Sequence, residues 1–249
     1  MRGRGRIVAG LMLAAICAAP LLAQGEVARG YAFREPPVTL TLFGGFAQPI
    51  ASGDIWAFTF DELTLDRADF GSQERGGDIA FRLSPRADLV ISYSVNDARQ
   101  RSESRDYVGT DGLPIRQTTR LIRRPFGAAL RYHLRDRGQM LGTRAWVPNR
   151  VVPFVGLGFG RLAYSFDQQG EFVDESTLDI FTDRYRAAGR AAYAQASAGT
   201  SITVIPSVAI TGEARYLWAS ADGNPSFTGF DRLDLSGLSA NVGLSLRVF

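Results

Sequence analysis

Three observations predict an all-β chain, an eight-stranded antiparallel up-and-down transmembrane β-barrel behind a cleavable signal peptide. The segment leading into the C-terminal Phe249 alternates strictly. Leu238, Ala240, Val242, Leu244, Leu246 and Val248 fall on one face; Ser239, Asn241, Gly243, Ser245 and Arg247 fall on the other. Such alternation puts apolar side chains on one side only, and a strand of about ten residues crosses a bilayer when tilted. Segments of this kind recur to an even number. The connections between them alternate between short and long, which is the pattern of turns at one end of a barrel and loops at the other.

The N-terminus supplies the address. Arg2, Arg4 and Arg6 form a basic region, and Ile7 to Ala19 an apolar one too short to span a membrane as a helix. Cleavage is placed after Ala23, giving a signal peptide over 1–23. Acylation at Cys17 is the competing reading, and the bulky Ile16 before it argues against it. With the signal removed no cysteine remains, which excludes a disulfide framework, a thiol nucleophile and cysteine metal ligands. The three signal arginines equal the whole formal charge of +3, so the pI of 9.3 does not point to nucleic acid. Every basic residue is Arg, which reads as a base-composition bias.

Residues 24–36 show no period and read as an irregular periplasmic lead; the barrel is expected over 37–249. The first strand, 37–48, carries Val38, Leu40, Leu42 and Phe46 in phase. The second, 75–84, turns Ile79, Phe81 and Leu83 out and Asp78, Ala80 and Arg82 in. The third, 87–96, turns Leu89, Ile91, Tyr93 and Val95 out. The fourth, 119–134, sets Phe126, Leu130 and Tyr132 against Gly127, Arg131 and His133. The fifth, 151–166, changes phase: Val152, Phe154, Leu162, Tyr164 and Phe166 oppose Val155, Leu157 and Phe159, so a bulge near Gly160 is expected. The sixth, 190–204, turns Tyr193, Gln195, Ser197 and Ser201 away from an alanine row. The seventh, 208–219, turns Thr211, Glu213 and Arg215 in. The eighth is the alternating segment that leads into Phe249. Ser84-Pro85-Arg86 and Ile205-Pro206-Ser207 are the short turns; 49–74, 97–118, 167–189 and 220–235 are read as long loops. Pro125 and Pro153 are expected near strand ends, since proline gives no ladder hydrogen bond. Tyr132, Tyr164, Tyr216 and Trp218 are expected on the apolar face at headgroup level.

An eight-stranded barrel is just wide enough for its own side chains. The inward Arg82, Arg131, Glu213 and Arg215 must therefore be paired, with Glu213 bridging arginines. A structural polar plug is the first reading and an anion-favouring constriction the second. His133 is the only histidine, and no serine follows two residues on, so no catalytic or metal site is assigned and no cofactor is expected. Gly156, Gly158 and Gly160 lack the dinucleotide spacing and read as relief of crowding in a curved sheet. Counted to 188, the four long connections hold 19 acidic against 8 basic residues. They read as a solvated acidic surface, with Asp54, Asp61, Glu62, Asp66 and Asp69, or Asp174, Glu175, Asp179 and Asp183, as candidate ligands for a divalent cation. Loop one carries Ile55, Trp56, Phe58, Phe60, Leu63 and Leu65; it is expected to fold over the barrel mouth or to extend the first two strands. Arg120 and Arg124, outward at the loop end of the fourth strand, are candidates for lipopolysaccharide phosphates.

The signal sequence, the eight-strand rhythm over 37–249 and the terminal Leu-Ser-Leu-Arg-Val-Phe resemble small outer-membrane barrels of the OmpW, opacity and OmpA-transmembrane type. The resemblance implies the outer membrane of a Gram-negative envelope, contact with its lipid and lipopolysaccharide, and assembly by the barrel-insertion machinery, with Phe249 as the assembly signal. Phe249 departs from the usual pattern in being out of phase with Val248. The expected role is a non-catalytic, monomeric barrel that is structural or engages partners through its loops. The alternatives are a narrow porin-like channel for small or apolar solutes and a soluble periplasmic ligand-binding β-protein.

Overall fold

The computed structural model describes residues 30–109, 112–142, 145–174, 177, 179–221 and 232–249. The expected signal segment 1–23 lies outside them, as does 24–29. Eight strands carry the fold: β1 Val38–Pro49, β2 Ser72–Arg82, β3 Ala87–Val108, β4 Pro114–His133, β5 Val151–Val173, β6 Ile180–Ile205, β7 Val208–Ala221 and β8 Gly237–Val248. Each pairs antiparallel with its sequence neighbour, and β8 pairs with β1 from Val38↔Val248 to Pro49↔Gly237. The sheet is a closed ring without a free edge.

Alternation decides what lies on each side of the ring. Leu157 and Phe159 are 70% and 73% exposed, whereas Asp78 and Arg131 are 3% and 8% exposed. The outside is apolar and the inside holds the charges, the reverse of a water-soluble β-sandwich.

Four expectations are corrected. There is no bulge near Gly160: β5 pairs with β4 and β6 in unbroken register through that residue. The phase change arises because the inside is itself apolar at two levels, so Val152 and Phe154, then Leu162 and Phe166, point inward. Tyr164 joins them, buried in the upper core, and is no headgroup aromatic; Tyr132 and Trp218 do lie exposed on the outer wall. The segments 97–118 and 167–189 are largely strand, because β3–β4 and β5–β6 continue as tall hairpins once both faces meet water. Pro125 lies mid-strand. The β3–β4 pairing omits Ser94 and Val95 opposite Pro125 and Arg124, then resumes in the same register, so the missing N–H opens a gap and not a slip.

Loop one takes the first of its two expected forms. A helix, α1, spans Asp54–Glu62, starts after Gly53 at φ 98°, and carries Asp54 where the helix dipole favours an anion. Nine residues are too few to hold a helix alone; burial of Ile55, Trp56 and Thr59 holds it. Trp56 meets Phe70 and Phe166 edge-on at 4.9 and 5.2 Å and donates from Nε1 to the Asp234 carbonyl at 3.1 Å. The upper lumen under α1 is thus filled by an apolar core.

Candidate functional site

Below that core the lumen is polar. Asp78, inward from β2, accepts from Arg215 on β7 at 2.6 Å, from Arg131 on β4 at 3.3 Å and from Ser92 on β3 at 2.6 Å. Glu213 lies 3.0 Å from Arg131 and 2.9 Å from Arg215. Two carboxylates and two guanidinium groups therefore meet across the lumen. Both arginines also lie over rings, Arg131 on Phe154 at 4.3 Å and Arg215 on Phe43 at 4.6 Å.

Of the four inward residues singled out in the sequence, the structure brings three together. Arg82 is apart: it ends β2, one turn of the pleat beyond Ala80, and pairs with Glu35 at the rim. Asp78 takes the central place. Its inward phase was legible, but which strand faces which across the lumen was not.

Further polar groups lie above and below. Glu74 accepts from Ser94 and Asn241, and Arg123 donates to Asn96 and to the Leu235 carbonyl. At the short-turn end His133 Nε2 is 2.8 Å from Asp88, whose other oxygen accepts from Arg137 at 2.6 Å. Arg137 also reaches Glu35, and Trp146 from the 138–148 hairpin seals this end against Phe249. The His133–Asp88 pair is part of this plug. At this end Arg86 holds the exposed Asp136 carboxyl below the usual carboxylate range through a hydrogen bond.

The space left is small. One cavity of about 40 Å³ lies above the Asp78 cluster, beside Glu74, Arg123 and Tyr193, and another of about 40 Å³ lies below, beside His133 and Arg137. Each is large enough for a few waters. The glycines at 127, 156, 158 and 160 line the inner wall. A Cβ at Gly127 or Gly160 would meet the Tyr193 ring, so the glycine run makes room for a tyrosine. A third cleft, about 120 Å³, opens at the tall end between α1 and the hairpins.

Among the described residues the acidic side chains do not gather. Among the described residues no three histidine, cysteine or carboxylate side chains are placed to hold a metal ion. Asp66 and Asp69 instead cap the short 3-10 turn Arg67–Phe70; Glu175 lies outside the described residues. On the outer wall Arg120 is tied to Asp97 through two hydrogen bonds of 2.8 and 2.6 Å, and Arg124 is exposed. Phe249 follows β8 at the short-turn end.

No protein-family model matches the chain, and no curated protein matches it. Solved structures do. The outer membrane protein OprG from Pseudomonas aeruginosa is similar at 12% identity and TM-score 0.46, over 87% of this chain and 99% of that one. Neisserial surface protein A is similar at 10% and 0.45, over 85% and 97%. The outer membrane protease OmpT from Escherichia coli is similar at 9% and 0.41, over 86% and 97%. Likeness at these identities assigns no activity to this chain.

Proposed function

We propose that this protein is an integral barrel of the bacterial outer membrane, closed to solutes, that acts as a structural or surface-interaction element. One observation carries the reading: a closed ring whose outside is apolar and whose inside is charged and paired. Lipid covers such an exterior at no cost, whereas water would not. The two termini of the ring lie at the short-turn end, which faces the periplasm in this orientation. The tall hairpins and α1 then form the external surface, and the chain is non-catalytic. Support for a closed lumen comes from the Asp78–Arg131–Arg215–Glu213 cluster and the apolar plug under α1, stacked in series.

The test is a gel comparison. Detergent-extracted protein run without boiling should migrate differently from boiled protein, because a closed barrel resists dodecyl sulfate until heated. Extraction without detergent and identical mobility would reject the proposal in favour of a soluble β-protein. In planar bilayers the folded protein should give no discrete conductance steps; steps abolished by changing Arg131 or Arg215 would favour the pore.

A further inference from the structure

The outer wall carries an arginine row that the closed-barrel reading leaves unused. The ladder places Arg75 on β2 beside Val95, Arg124 on β4 beside Ala163, and Ala163 beside Arg190 on β6. Val95 lies opposite Arg124 in the β3–β4 register, between the pairs Tyr93↔Phe126 and Asn96↔Arg123. Arg75, Arg124 and Arg190 therefore stand at one level on alternate strands, separated by small or apolar neighbours. With strands about 4.8 Å apart, successive arginines are about 10 Å apart. Arg161 lies two residues below Ala163 on β5.

Two facts distinguish this row from a merely solvated face. The first is its height. Outward residues below it are apolar, as from Leu134 to Phe126 on β4 and from Val155 to Phe159 on β5. Ten residues from Leu134 to Arg124 rise about 25 Å at the usual strand tilt, which is the height of the lipid-facing band. The row sits where hydrocarbon gives way to headgroups. The second is that no carboxylate pairs with it directly: Asp97, whose charge reaches Arg75 and Arg124, is hydrogen-bonded to Arg120. In the rows above, Arg120 pairs with Asp97, Arg184 and Arg186 with Asp167, and Arg116 with Glu103, while Arg99 and Arg101 form no such pair among the described residues. Among the described residues no carboxylate lies within ion-pair distance of Arg75, Arg124, Arg161 or Arg190. The far side of the ring, β7, β8 and β1, turns no charged residue outward within these strands.

Resting on the outer-membrane reading, we infer that Arg75, Arg124 and Arg190, with Arg161 beneath, form a binding site for a lipid headgroup bearing two phosphates in the external leaflet. A guanidinium at a headgroup boundary forms paired hydrogen bonds to phosphate, and a 10 Å spacing lets two phosphates of one headgroup be held at once. The site keeps Arg124 of the two candidates named from sequence and releases Arg120, which Asp97 occupies.

The experiment uses full-length protein folded in detergent, with bisphosphorylated lipid A, monophosphoryl lipid A and inorganic phosphate as probes. Native mass spectrometry should show lipid A bound at least tenfold more tightly than the monophosphoryl form, with inorganic phosphate at millimolar concentration failing to displace it. Arg75→Gln/Arg124→Gln/Arg190→Gln should lose lipid A binding at least tenfold; Arg101→Gln/Arg184→Gln, two rows higher, should not. Unchanged binding by the triple variant overturns the inference, as does equal binding of the monophosphoryl form or displacement by free phosphate. Heat-shifted gel mobility of every variant shows that the barrel stands. A failed inference with that shift intact is thus separate from failure of the barrel itself.

Discussion

Asp78 occupies the point where guanidinium groups from two walls of the lumen converge, and it holds both within hydrogen-bond reach. Removing its charge leaves Glu213 alone to compensate two buried cations. Breaking a buried pair costs about 3–5 kcal/mol because the stranded charge has lost its water. Asp78→Asn should therefore lower the unfolding free energy in detergent by about that amount, read from urea titration. Arg82→Ala is the contrast. Its pair with Glu35 is partly solvated at the rim, so the loss should stay within about 1 kcal/mol. Gly160 makes a different point at the same scale. A valine there meets the Tyr193 ring and the wall backbone, so Gly160→Val should destabilise by about 1–3 kcal/mol through overpacking.

The element that owes most to tertiary contacts is α1. Its anchor is a side chain in the opposite loop: Asp234 accepts from Ser52 Oγ at 2.5 Å and from the Ser236 N–H at 2.9 Å, while Trp56 binds the same residue's carbonyl. Burial acts to raise the Asp234 carboxyl, but the hydrogen bonds from Ser52 and Ser236 outweigh it and hold it below its ordinary 3.8. A carboxyl depressed on folding adds stability that is fully present above 3.8 and lost as pH falls through the folded value. Acidification below pH 4 should therefore loosen α1 before the ring, seen as shifts of the Ser52 and Ser236 amide resonances. Trp56→Ala should cost about 3–5 kcal/mol of lid packing and expose 54–62 to protease, while the barrel keeps its heat-shifted mobility.

At the scale of the whole molecule the exterior decides between lipid and water as solvent. Leu157 is exposed in the middle of the apolar band. In a soluble protein Leu157→Arg at such a site changes stability by less than about 0.5 kcal/mol. Facing hydrocarbon, it should cost about 2–4 kcal/mol, measured by reversible unfolding in lipid vesicles. The ring also explains why no edge protection is found on β1 or β8: each is the other's partner over twelve residue pairs.

The sequence by itself determined the number of strands, the face presented by every strand but β5, and the short-turn end, because a pleated strand exposes alternate residues to two solvents and composition records which is which. It also marked Arg131, Glu213 and Arg215 as residues that needed partners. It did not determine that Asp78 completes their cluster, since contact across the lumen depends on the stagger accumulated around the closed ring, which no single strand encodes. The phase of β5 failed for a related reason. Alternation separates lipid from polar interior, but under α1 the interior is apolar too, and two greasy faces look alike in sequence. Only the tertiary structure showed that the inner one is covered by a helix. Likewise, the arginine row appears only when residues as far apart in sequence as Arg75 and Arg190 are brought level by strand pairing.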